Sequence, residues 1–184
     1  MTRLESLSPE DMNKSQLAVW DEIRSGPRGA SPHGPFMAWL QSPQLADRAQ
    51  KLGEYLRFTA QMDKRLSELA ILTVARHWTA QYEWFAHKKF ALDAGLAEDI
   101  IDSIQAHERP NFVKDDEAAI YDFSVELQNT RQVSDAKYQA VSMHIGSPGT
   151  VDLVGLLGYY TLVSMTLNVY EVKLPNGMLD PLIP

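Results

Sequence analysis

Glu83 and His87 lie four residues apart in Tyr82-Glu83-Trp84-Phe85-Ala86-His87, a spacing that puts a carboxylate and an imidazole on one face of a helix. Set among three aromatic residues, such a pair suits proton transfer. An imidazole with a pKa of about 6.5 gives or takes a proton at neutral pH, and an acid one turn away orients the ring or raises its pKa. Glu68 is the third group of this kind. In one straight helix Glu68 and Glu83 stand roughly 22 Å apart, at 1.5 Å per residue. The three share a site only if the helix breaks and folds back, and His77-Trp78-Thr79-Ala80 is the expected break, with Thr79 capping the second piece. Two glutamates and a histidine are also possible metal ligands. Di-iron bundles, however, use paired Glu-x-x-His motifs, whereas this chain offers one Glu-x-x-x-His, so a metal is not expected.

The elements that must position these groups read as helices throughout. From Asp63 to Gly95, apolar Leu66, Leu69, Ala70, Leu72 and Val74 recur at helical spacing between a capping acid and a terminating glycine. Upstream, Ser8-Pro9-Glu10-Asp11 predicts a helix to about Arg24 with Leu17, Trp20 and Ile23 buried. Ser42-Pro43 predicts another to about Phe58, buried through Leu45, Ala49, Leu52 and Leu56. Between them residues 25 to 35, with His33, must be loop, and they lead into Phe36-Met37-Ala38-Trp39-Leu40. That loop is either a pocket wall or a plain surface connection. Downstream, short helices are expected over 97–106 and from Asp115, with Ile120, Phe123, Val125 and Leu127 inward. Ser134 should cap a helix to about His144, and Gly146-Ser147-Pro148-Gly149 should break it. Residues 150–171 are apolar on nearly all sides and must be covered all round, in part by another subunit. The tail from Lys173 has no periodicity and is expected to wrap a neighbour or lie loose. No stretch alternates with period two. The expected architecture is therefore one all-α domain over 1–184, with N-terminal helices in 8–58, the motif region in 63–95, C-terminal helices in 97–171 and a tail in 172–184.

Composition narrows the function. The 184-residue chain contains no cysteine, which removes disulfides, thiolate metal sites and thiol redox chemistry. A net charge of −7 and the lack of any basic run argue against nucleic acid as a partner. The N-terminus has no apolar core of a signal peptide. The longest apolar run, 153–169, is interrupted by Gly155, Gly158, Ser164 and Asn168, which suits a buried helix better than a membrane span. A cytoplasmic protein is expected.

With Glu68, Glu83 and His87 in place, the central region resembles the carboxymuconolactone decarboxylase family, within the AhpD-like superfamily. Its alkylhydroperoxidase branch carries an acid, eleven residues, Cys-x-x-Cys, three residues and a histidine. Here Glu68 is followed by eleven residues, Ala80, two residues, Glu83, three residues and His87. The spacing is kept and both cysteines are replaced. ELAILTVARHW, QYEWFAH and LGYYTLVSMTLNVYEV are also similar to family members of the non-peroxidase kind, and the likeness extends from Gly34 to Pro175. The resemblance implies an AhpD-like helical bundle assembling as a homotrimer or hexamer. Peroxidase activity is excluded by the missing thiolates.

What the resemblance implies for chemistry is a cofactor-independent lyase on a small carboxylated ring or lactone. His87 is the expected proton donor, Glu83 orients the imidazole, and Glu68 binds its other nitrogen or handles a second proton. An acidic protein taking a carboxylate needs a local cation; Arg65 and Arg76 flank the site in sequence, and Arg76 is the candidate. Trp84, Phe36 and His33 complete the expected substrate-binding set, although Trp84, like Tyr82 and Phe85, equally suits core or interface. Two other readings remain open: an oligomeric binding protein in which the cluster braces the fold, and a metal-dependent enzyme on the same residues.

Overall fold

Helix α4 (Lys64–His77) is the axis around which the chain is wound in the computed structural model, which describes residues 3–4, 7–29, 32–175 and 178–183. Among the described residues there are seven further helices: α1 (Lys14–Ser25), α2 (Pro35–Trp39), α3 (Pro43–Glu54), α5 (Gln81–Asp93), α6 (Glu98–Gln105), α7 (Asp115–Thr130) and α8 (Asp135–Val169). Among the described residues there is no strand, as expected for an all-α chain. Helix α4 is flanked by α5, α6, α7 and α8, and every residue from Leu66 to Arg76 is buried.

The enclosure of α4 is more complete than its amphipathic pattern implies. The sequence makes α4 amphipathic and the terminal helix apolar all round, yet α4 is enclosed and α8 keeps an uncovered side, with Val151 71% exposed. The reason lies in how α4 satisfies its polar groups. Thr73 donates to the Leu69 carbonyl at 2.8 Å and Ser67 to the Asp63 carbonyl at 3.1 Å, while Glu68 and Arg76 find partners on other elements. A polar residue with an internal partner is compatible with burial.

The start of the chain also differs from expectation. Pro9–Asp11 forms only a 3-10 turn, and α1 begins at Lys14 because Asn13 and Gln16 form a reciprocal capping box. Helix α3 buries Ala46, Ala49, Gln50 and Gly53 rather than Leu45 and Leu52, which are exposed. Small residues are required there: a Cβ on Gly53 would lie 2.2 Å from the Tyr159 hydroxyl of α8. The helix then passes into a π-helical turn, Tyr55–Thr59. In α7, Ile120 and Phe123 are buried, whereas Val125 and Leu127 are half-buried.

Helix α8 kinks at Gly146 (φ 65°), where Pro148 has no N–H to continue the ladder. By length and composition α8 is apolar enough to cross a membrane, but half of its most apolar window is buried inside the fold, the position of a core helix. Ser134 occupies its N-cap without capping it, its hydroxyl donating to Glu126 instead. The tail does not lie loose. Leu182 is 2% exposed and exchanges two hydrogen bonds with the Gln81 amide, while Pro181 and Ile183 are bound through their carbonyls by Gln105 and Arg76.

Candidate active site

The expected break between α4 and α5 occurs at Trp78-Thr79-Ala80. Thr79 does not cap α5. It takes a left-handed conformation (φ 47°), uncommon for a β-branched residue, and Ala80 sits at the N-cap without a side-chain bond. The turn is held from both sides. Asn168 of α8 donates to the Trp78 carbonyl at 2.7 Å, and Arg76 reaches Thr79 Oγ1 at 3.3 Å.

Folding back brings Glu68 against the helix that carries Glu83 and His87. His87 Nδ1 lies 2.6 Å from Glu68 Oε2 and Nε2 lies 2.9 Å from Glu83 Oε1. All three residues are buried. Burial alone pushes the imidazole toward its neutral form, but the two carboxylates outweigh it and raise the ring to about 9. His87 is thus an imidazolium at neutral pH, with both N–H groups donated to carboxylates. It starts as an acid, not as the group poised near neutrality that its type alone implies. The three groups form a line with the imidazole between the acids, and among the described residues no three His, Asp or Glu side chains are gathered to hold a metal ion.

Glu83 and His87 form part of the wall of a pocket of about 400 Å³. Tyr159 and Tyr160 of α8 supply its depth, and the segment from Pro32 to Phe36 supplies one side. The Tyr160 ring stands edge-on to His87 with centroids 5.1 Å apart, and its hydroxyl is 3.4 Å from Nε2. Around the pocket, aromatic rings and guanidinium groups alternate in the order Phe36, Arg28, Phe58, Arg57, Phe90, each guanidinium 5.1–5.9 Å from the ring centroids beside it.

The candidates named from sequence separate. Phe36 and His33 line the pocket, His33 at its exposed rim with Nδ1 2.8 Å from the Tyr82 hydroxyl. Trp84 does not line it: one residue beyond Glu83 the helix has turned by about 100°, and the indole is buried in the core. Arg76 is turned away as well, bonded to the Ile183 carbonyl at 2.5 Å and lining a different, smaller cleft. Arg65 is committed to Asp116 and Glu117. The guanidinium groups at the pocket are those of Arg28 and Arg57, neither evident from sequence. Arg28 is paired with Glu54 at 3.8 Å and with the Gln50 carbonyl at 3.2 Å. Among the described residues Arg57 has no acid partner within salt-bridge distance. Its place on the pocket depends on the π turn, whose extra residue per turn redirects the side chain and leaves no mark in the sequence pattern. Tyr160 was hidden inside an apolar run.

No protein-family model and no curated protein matches the sequence. Among solved structures the fold has counterparts: a protein of unknown function from Agrobacterium tumefaciens, described in connection with antioxidant defence as an AhpD, superposes with a TM-score of 0.66. The match covers 75% of this chain and 95% of that one. The fold is AhpD-like. At 16% identity the likeness speaks for the architecture, and the chemistry of this AhpD-like chain must come from its own residues.

Proposed function

We propose that this protein is a cofactor-independent lyase of the carboxymuconolactone decarboxylase type, moving a proton and releasing carbon dioxide from a small carboxylated ring or lactone. The observation that carries the reading is the buried Glu68–His87–Glu83 line opening on a pocket beside Arg57, a cation with no acid of its own among the described residues. The charge pattern is that of a site for an anion that reacts by proton transfer.

In the proposed reaction Arg57 holds a substrate carboxylate, and the aromatic rings beside it cover the substrate's apolar faces. When the C–C bond to the departing carboxylate breaks, its electron pair moves into the conjugated carbonyl. His87 then gives up the Nε2 proton, passed to carbon directly or through Glu83, and recovers one from solvent. Glu68 keeps the ring charged and fixed in plane. Peroxide reduction has no place here, since the chain has no cysteine. We propose further that the protein works in the cytoplasm as a homotrimer or hexamer, joined through the uncovered side of α8.

The test is to incubate the protein with a panel of small carboxylated lactones in deuterated water and follow carbon dioxide release and deuterium uptake. Turnover that is lost in His87→Gln supports the reading. Turnover unchanged in that variant overturns the role given to His87, and none across a panel whose members bind overturns the lyase reading in favour of a second one, an oligomeric small-molecule-binding protein. The full engagement of both ring nitrogens by carboxylates favours that alternative, because a structural brace would show the same bonds.

A further inference from the structure

Both N–H groups of the His87 imidazolium are donors, and a protonated ring has no lone pair left to accept. Tyr160 therefore cannot donate to Nε2 across the 3.4 Å that separates them. Its oxygen can take only the long branch of a bond that Nε2 directs mainly to Glu83 at 2.9 Å. The hydroxyl hydrogen has to go elsewhere, since a buried donor without a partner is costly. Among the described residues the Tyr160 hydroxyl has no other hydrogen-bond partner. The side chain lines the pocket beside Glu83 and His87, which leaves the cavity as the place for the hydrogen.

We infer that Tyr160 is a further catalytic residue, whose hydroxyl donates a hydrogen bond to the substrate oxygen on which negative charge collects during the reaction. The inference rests on the lyase reading and narrows its substrate class. The substrate is a ring bearing a carboxylate for Arg57 and, across the ring, a conjugated carbonyl that becomes an enolate. The electron pair of the breaking bond ends on that carbonyl oxygen, stabilised by Tyr160 O–H, and returns to carbon when the proton arrives. Burial pushes the Tyr160 hydroxyl well above the usual tyrosine range, so it remains a donor at working pH. Its ring is fixed by edge-on contacts with His87 and Tyr159, at 5.1 and 5.3 Å. A donor held in place before charge develops is the arrangement that lowers such a barrier.

Two probes separate this inference from the reading beneath it. The phenolate of 4-nitrophenol is a planar oxyanion that mimics an enolate and absorbs in the visible; benzoate has the carboxylate alone. Both should bind the wild-type protein and be weakened by Arg57→Leu. Tyr160→Phe should weaken the phenolate about tenfold to a hundredfold, the range for a hydrogen bond to a charged oxygen, and leave benzoate unchanged. The variant removes only a hydroxyl and keeps the ring contacts, so its melting temperature and its His87 titration should stay at wild-type values. Equal weakening of both probes, or of neither, overturns the role of Tyr160 and leaves the anion pocket standing. Failure of both probes to bind the wild-type protein overturns the pocket and Tyr160 together.

Discussion

At His87, two effects of opposite sign meet and the larger decides what the residue can do. Burial disfavours the imidazolium, but carboxylates at 2.6 and 2.9 Å favour it more and set the ring near 9. Because the folded value lies above the unfolded value of about 6.5, the protein holds a proton that the unfolded chain loses. The stabilisation is complete below about pH 6.5 and disappears as pH rises through about 9. Its size is on the order of 3 kcal/mol, from about 1.4 kcal/mol per pKa unit. Melting temperatures measured from pH 6 to 10 should therefore fall between those limits, and His87→Gln should remove that part of the slope. The same variant leaves Glu68 and Glu83 buried without their cation and should cost about 3 kcal/mol at neutral pH by chemical denaturation. Glu68→Gln is the milder probe. It keeps an acceptor for Nδ1 but removes a charge, so the His87 titration followed by NMR should move down from about 9, taking the alkaline limit of activity with it. A titration that stayed in place would show that Glu68 does not set the charge of the ring.

The α4–α5 hairpin shows what spacing alone could and could not convey. Glu68, Glu83 and His87 were legible because helical periodicity fixes Glu83 against His87, and because the Trp78-Thr79-Ala80 break between two apolar runs returns Glu68 to the same place. Arg57 and Tyr160 were not. One depends on a π turn that redirects a side chain, the other on which face of an apolar helix meets His87, and neither leaves a local signature. Arg76 misled for a related reason: nearness in sequence to Glu68 says nothing about the C-terminal tail that claims the guanidinium. That tail packs over the start of α5, where Leu182 enters the core and Gln81 holds its backbone at 2.7 and 2.8 Å. Leu182→Ala should cost about 2–4 kcal/mol, the usual range for a large buried aliphatic. If the tail steadies the hairpin, the backbone amides of Trp78 to Gln81 should also exchange faster with solvent in this variant. Lost stability without faster exchange there would make the tail a core filler only.

At the scale of the molecule, α8 keeps an apolar seam that the described residues leave uncovered. Val151, Val154, Leu162, Met165 and Val169 are all exposed, and with Gly158 between them they recur at intervals of three and four residues. That is the spacing of one helix edge meant for another helix. Gly158 adds room for close approach, since a Cβ there would meet nothing within 4 Å. A lone chain would hold this stripe in water, whereas a symmetric assembly buries it in every subunit. Light scattering coupled to gel filtration should give three or six times the subunit mass. The double substitution Val151→Asp, Val154→Asp, placing two charges at the N-terminal end of that surface, should weaken association by at least about a hundredfold. A wild-type monomer at micromolar concentration would overturn the assembly. The dissociated variant also answers a second question. The pocket residues, from Arg28 to Tyr160, come from one chain, so benzoate binding should survive dissociation if the pocket is complete within a subunit. Binding lost with the assembly, in a variant that still melts cooperatively, would mean that a neighbouring copy supplies part of the wall.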